Sequence, residues 1–292
     1  MRIGLFTPFT SPLATRDTLL TMGRGAEERG FDSIWVAEHV VLFDEYQSPY
    51  PYSPDRKIPV GGETGVIDPF VALSFLASVT ERIRLGTGIC LVPQRNPVYT
   101  AKEAANIDYL SGGRLDFGVG VGWLREEFEA VGAEWGRRGD RCRDYIEVIK
   151  RLWCDPVSEY EGEFYTLRPC RQYPKPVQSP HPPIHVGGES DAALRRTADL
   201  GQGWYGNNLD PEATAERVQT LERMLAERGR RRDELLISIG PYLRPTDLDA
   251  CKRYRDAGVD QVILLAFAPT ESDILRMLDG LASSLLEPAR AL

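Results

Sequence analysis

Histidine and lysine are scarce in this chain of 292 residues: three of the first (His39, His181 and His185) and five of the second. So few imidazoles argue against a histidine-built metal centre, and no metal is expected. The five cysteines, Cys90, Cys142, Cys154, Cys170 and Cys251, are odd in number and never spaced C-x-x-C. That pattern argues against a disulfide scaffold and against structural zinc. No apolar run approaches the roughly 18 residues of a membrane span, and the N-terminus lacks the charged stretch and apolar core of a secretion signal. Basic charge is short as well. The 35 Lys and Arg against 43 Asp and Glu leave a net −8, which offers no basic face to displace counterions from a nucleic acid. These absences predict a soluble, cytoplasmic protein with neither nucleic-acid nor membrane partners.

What is present is a core and a rhythm. Hydrophobic residues make up 42% of the chain, enough for a sizeable interior. Short apolar runs alternate with helical periodicity. The strands read as MRIGLFTP (1–8), SIWVA (33–37), IRLGTGICLV (83–92), LDFGVGV (115–121), PIHVGG (183–188), GWYGN (203–207), LLISIGPYL (235–243) and QVILLAF (261–267). Helix signals sit between them: Gly30 closes a helix over 15–29, and Asp68–Pro69 and Asn96–Pro97 are caps followed by proline at the first helical position. Apolar runs without alternation mean a sheet covered on both faces. Eight such units in 292 residues predict a single TIM (β/α)8 barrel, with insertions in the loop after strand two and before strand five. The competing doubly wound sheet wants a glycine fingerprint directly after its first strand, and GLFTPFTSPL has none. Residues 155–183, rich in proline and carrying a small hairpin in EYEGEFYTL that turns near Glu161–Gly162, read as an insertion packed on the barrel.

In such a barrel the chemistry gathers at the C-terminal strand ends. Glu38 and His39 end strand two, where a titratable pair suits proton transfer or, equally, a half-buried hydrogen bond within the loop. Thr87, Gly88 and Ile89 end strand three, and a glycine inside an apolar run marks a close approach or a tight corner. Gly118, Gly120 and Gly122 leave one face of strand four bare, so a flat group can lie there, with Trp123 stacking on it or capping the mouth. Gly187, Gly188, Glu189 and Ser190 join strand five to a helix, a phosphate cradle or a plain N-cap. His181 reads as an exposed loop residue, His185 as a packing residue, and the basic run 228–232 as a solvated helix end.

SIWVAEH, the long block IRLGTGICLVPQRNPVYTAKEAANIDYLSGGRLDFGVGVGWLREEFEAVG and PPIHVGG, in this order, resemble the luciferase-like monooxygenase family. GVGWLREEFEAVG and SPYPYSP are similar to its branch of coenzyme F420-dependent oxidoreductases. The resemblance implies a barrel holding F420, or alternatively FMN, at its C-terminal mouth. It implies a non-prolyl cis peptide at Gly88–Ile89 behind the ring system, His39 near the reactive carbon, Gly120, Gly122 and Trp123 lining the ring, and Gly187–Ser190 on the phosphate. Glu38 stands where several F420 relatives have Asp. Residues 41–67 then form a lid over the substrate, with Tyr46, Tyr50 and Tyr52 lining it. A small organic substrate, a homodimer and, for the FMN alternative, a separate flavin reductase complete what the likeness implies.

Overall fold

The computed structural model describes residues 1–292. Ten strands form: β1 (Arg2–Thr7), β2 (Ser33–Val36), β3 (Arg84–Thr87), β4 (Leu115–Val119), β5 (Ser158–Glu161), β6 (Thr166–Cys170), β7 (Ile184–Gly187), β8 (Gly203–Asn207), β9 (Leu236–Gly240) and β10 (Gln261–Leu265). The main helices are α1 (Arg16–Arg29), α2 (Pro69–Val79), α3 (Pro97–Ser111), α4 (Arg125–Ala130), α5 (Arg138–Cys154), α6 (Asp191–Leu200), α7 (Pro211–Ala226), α8 (Leu248–Asp256) and α9 (Glu271–Leu281). Eight parallel strands close in the order β1-β10-β9-β8-β7-β4-β3-β2. This is the expected TIM barrel. No helix is long and apolar enough to cross a membrane.

Local chemistry sets the boundaries. Thr15 caps α1 through a reciprocal pair with Thr18, and Gly30 ends the helix at φ 80°. Asp68 and Asn96 accept the first free N–H groups of α2 and α3, each with proline at the start. The insertion is smaller than its length suggests: β5 and β6 form an antiparallel hairpin packed on α5, where the Tyr160 hydroxyl donates to Asp144 at 2.6 Å.

Inside the barrel the layers differ. At the N-terminal end Arg84 grips Asp116 with two bonds of 2.7 Å, and His185 Nε2 lies 3.3 Å from the same carboxylate. Burial opposes ionisation of Asp116, yet His185 and Arg84 together hold its pKa at about 2. One layer up, Trp35, Tyr205 and Ile263 pack together with Phe6 and Ile89. Trp35 fits only because β3 carries Gly86 beside it, where a Cβ would meet the indole at 2.4 Å. This apolar layer is the floor on which the mouth stands.

Several details depart from the sequence reading. The third strand is four residues long; the Gly88–Ile89 peptide is cis, and beyond it the chain pairs with β4 again only at a bridge between Cys90 and Val119. His181 is buried against Trp153, their ring centroids 5.9 Å apart, so the expected exposed position is wrong. Its place beside Pro182 and the indole is apolar, and that drives the ring inside. His185 is a packing residue, as its place within a strand implied. The basic run is consumed in ion pairs: Arg228 with Asp199, Arg230 with Glu234, Arg231 with Asp233 and Arg232 with Asp260. Helix α4 has no counterpart in the sequence reading, and it matters for the site.

Candidate active site

β2 ends at Val36 and delivers Glu38 and His39 to the rim, where they part company. Glu38 is buried and its carboxylate accepts the Leu91 N–H and Arg95 Nε at 2.5 Å. Arg95 reaches on to Asp68 at 2.5 Å and Glu103 at 3.1 Å. Glu38 is therefore committed to a buried ion-pair network that ties β2 to the segment after β3, and a catalytic role for it does not fit. Replacing it, as Glu38→Gln, should cost about 3 kcal/mol of stability, the lower range for breaking a buried pair, because Arg95 keeps two carboxylates. Thermal melting checks this, and unaltered turnover in the folded fraction is the accompanying expectation.

His39 turns the other way and finds a partner absent from the sequence reading. Its Nδ1 lies 3.3 Å from both carboxylate oxygens of Glu127. Glu127 is fully buried on α4 and also accepts the Val40 N–H at 2.7 Å and Gln94 Nε2 at 3.1 Å. A carboxylate held by two other donors is fixed in place. It can only accept from the imidazole, so Nδ1 carries hydrogen and Nε2 of the neutral ring is left to take a proton.

The bare face of β4 meets the bulge after β3. Ile89 lies over it: a Cβ at Gly120 would fall 1.8 Å from Ile89 Cδ1, and one at Gly187 2.8 Å away. The glycines of β4 and β7 thus seat the bulge. Thr87, expected among the binding residues, spends its hydroxyl on the Gly118 carbonyl at 2.6 Å and acts as a strand tie. Gly122 takes φ 75°, a left-handed turn that suits glycine, and swings Trp123 over the rim beside His39, ring centroids 5.9 Å apart.

The lid closes onto this indole. Tyr50 and Tyr46 meet Trp123 edge-on at 5.0 and 5.7 Å, and Tyr52 meets Tyr50 at 5.5 Å. The Tyr50 hydroxyl donates to that of Tyr242 at 3.0 Å. Tyr46 lends its hydroxyl to the Ile58 N–H at 2.8 Å, so it braces the lid as well as lining it. The lid's near end is pinned by Glu126, which accepts the Gln47 and Ser48 N–H groups at 2.6 and 3.2 Å.

At the opposite rim Gly188 takes φ 110°, and Ser190 caps α6 by accepting the Ala193 N–H at 3.3 Å. The free first-turn N–H groups of α6 make an anion-friendly end. Two guanidiniums stand nearby without carboxylate partners. Arg196 of α6 is buried with Nε unpaired, and Arg138 at the start of α5 reaches the Gly122 carbonyl at 3.3 Å while stacking on Trp135 at 3.6 Å. Burial, then the neighbouring Arg196, lower the Arg138 pKa. Two neighbouring arginines without carboxylate partners suit an anion. Glu189, in the middle of the expected cradle, points its carboxylate to the Asn207 N–H at 2.8 Å and the Tyr52 hydroxyl at 3.3 Å.

Comparison with known proteins bears on this arrangement. The family model described as luciferase-like monooxygenase matches residues 1–273. An uncharacterised protein of Mycobacterium tuberculosis is 32% identical over 263 residues, spanning 90% of this chain and 92% of its own. The oxygenase component of a flavin-dependent trigonelline monooxygenase from Acinetobacter baylyi is 32% identical over 172 residues, 58% of this chain and 42% of its own. Among solved structures, an F420-dependent secondary alcohol dehydrogenase superposes with a TM-score of 0.77 at 18% identity, covering 99% of this chain and 98% of that one. At that identity the likeness speaks to the fold.

Proposed function

Because the chain belongs to the luciferase-like monooxygenase family, we propose that it moves a hydride between coenzyme F420 and a small organic substrate, with His39 managing the accompanying proton. The observation that carries this reading is the His39–Glu127 pair at the mouth, set beside the Gly88–Ile89 bulge and Trp123. The residues present fit a flat, phosphate-bearing group. Ile89 and the turn at Gly122 offer an apolar bed, while Arg138 and Arg196, which have no carboxylate partner, supply positive charge. When bound, the deazaflavin supplies a ring carbon that gives or takes a hydride, with little tendency to react with oxygen.

The chain's own part is orientation and proton handling. Glu127 fixes the imidazole tautomer and stabilises the imidazolium once Nε2 has taken a proton. Trp123 packs edge-on against the imidazole and is itself backed by Tyr46 and Tyr50, and burial raises the Tyr50 phenol well above its ordinary range, so it stays neutral. A second reading, an oxygenase using reduced FMN from a partner reductase, is favoured by the resemblance to the trigonelline oxygenase component. Difference spectra with F420 and with FMN separate the two. Tight FMN binding, no F420 affinity and oxygen uptake with reduced FMN would overturn the first reading.

Two outcomes follow from the same reading. Arg196→Met should weaken binding of the phosphate-bearing cofactor roughly tenfold or more, the effect of removing one charge-assisted contact, while affinity for a phosphate-free ring stays within about twofold. Titration of both ligands checks it. The protein should also run as a homodimer in light scattering, burying Val71 of α2 with Tyr99 and Leu110 of α3, which are 63, 72 and 75% exposed.

A further inference from the structure

The N-terminal end of the barrel is open where such barrels are ordinarily filled by side chains. A cavity of about 520 Å³ lies there, lined by Arg2, Asp32, Arg84, Asp116, His185 and Gln261 among others, a volume within the range of small-molecule pockets. The layer of Trp35, Tyr205 and Ile263 roofs it, with Trp35 edge-on to His185 at 5.2 Å, so it is separate from the mouth. Two bare positions make the room: a Cβ at Gly203 would fall 2.0 Å from His185 Nδ1, and one at Gly4 would fall 3.3 Å from Gln261 Nε2. Those same two nitrogens have no hydrogen-bond partner, although His185 and Gln261 are only 1 and 3% exposed. Orphaned polar atoms at such depth are costly unless something pairs with them.

We propose that this cavity is a second ligand site, for a small zwitterion of the α-amino acid type. Its carboxylate is taken by Arg2 and Gln261 Nε2, and its ammonium by His185 Nδ1 and the free oxygen of Asp32. The donors and acceptors decide this assignment. Arg2 and Gln261 are register partners on β1 and β10, and the Arg2 guanidinium is exposed and unpaired at the rim. Together they form a donor pair that fits a carboxylate. Across the cavity His185 Nε2 faces the Asp116 carboxylate at 3.3 Å, which Arg84 holds with two bonds. That carboxylate can only accept, so Nε2 carries hydrogen and Nδ1 presents a lone pair. Asp32 spends one oxygen on the Ile3 N–H at 2.7 Å and keeps the other. Charge points the same way: Arg2 and Arg84 are matched by Asp32 and Asp116, so the lining favours no ion of one sign and suits a molecule carrying both. The site is independent of what binds at the mouth.

Saturation-transfer NMR with glycine, L-alanine, L-serine and L-glutamine, followed by calorimetric titration of those that bind, tests this on the whole ligand-free protein. At least one should bind at millimolar concentration or below, with one site per chain. Acetate and methylammonium, each carrying one of the two charges, should bind at least about tenfold more weakly. Gln261→Leu and Arg2→Met should each weaken the amino acid roughly tenfold or more, while whichever of F420 and FMN binds the mouth keeps its affinity within about twofold. Arg2 lies at the exposed rim, so Arg2→Met carries the test if Gln261→Leu does not fold. Binding by none of the amino acids means that the cavity holds water alone, and overturns the proposal. Unchanged amino-acid affinity in Arg2→Met overturns it as well, as does acetate or methylammonium binding as tightly as the zwitterion.

Discussion

His39→Ala is expected to lower turnover by a factor of about 10²–10⁴, the usual worth of a positioned general acid or base, with cofactor affinity changed by no more than about threefold. The split is the informative part. His39 reaches Glu127 through Nδ1 and approaches Trp123 edge-on, so its loss removes a proton carrier without opening the bulge or the cationic pair. Glu127→Gln should fall in the same direction but less far, because a carboxamide oxygen still accepts from Nδ1 while the negative charge that stabilises the imidazolium is gone. The Gln also keeps an acceptor for the Val40 N–H, now 2.7 Å from Glu127, and preserves the rim. The double variant should be little slower than His39→Ala alone, since the two residues act as a unit. Steady-state kinetics with a cofactor titration read all of this. Independent, multiplicative losses would show that Glu127 acts elsewhere than through the imidazole.

The sequence points to Glu38 rather than Glu127 as the partner of His39, for a physical reason. Adjacent residues leaving an extended segment project to opposite sides, so the neighbour of His39 is poorly placed to be its partner. Glu38 goes to Arg95 and His39 to the mouth. The true partner lies 88 residues away in LREEFEAVG, where the first-turn acids of a short helix look like any solvated N-terminus. Only the barrel brings them together. The glycines are legible in part: Gly88 at the bulge and Gly122 at the turn each mark a local demand of their own, whereas Gly120 and Gly187, expected against the ring and the phosphate, lie beneath Ile89. The strands are legible as apolar runs, but IRLGTGICLV hides the bulge at Gly88–Ile89, after which the chain rejoins β4 only through a bridge between Cys90 and Val119. Arg138 and Arg196 were lost among thirty arginines; what distinguishes them is the missing partner, which no sequence displays.

Gly118→Ala should be the most damaging single methyl in the molecule, costing about 4 kcal/mol or more, at the severe end for point substitutions. An added Cβ there would lie 1.9 Å from the Thr87 carbonyl oxygen, which is backbone and cannot rotate aside. The same carbonyl-rich seam is where Thr87 Oγ1 and the Cys90 N–H both donate to the Gly118 carbonyl, at 2.6 and 2.8 Å. Relieving the clash means parting β3 from β4 at the point where the bulge begins. Melting temperature should drop by roughly 10 °C or more at this chain length, and the surviving folded fraction should bind cofactor poorly because Ile89 is displaced. The control is Gly280→Ala on α9, where an added Cβ meets nothing within 4 Å. There the same methyl should stabilise by about 0.5–1 kcal/mol through helix propensity and a less mobile unfolded chain. Opposite signs from one chemical change separate steric closure at the barrel seam from a general intolerance of side chains at glycine. If Gly118→Ala melts within a degree or two of wild type, β3 and β4 are not in contact as described, and the support assigned to Gly88–Ile89 goes with them.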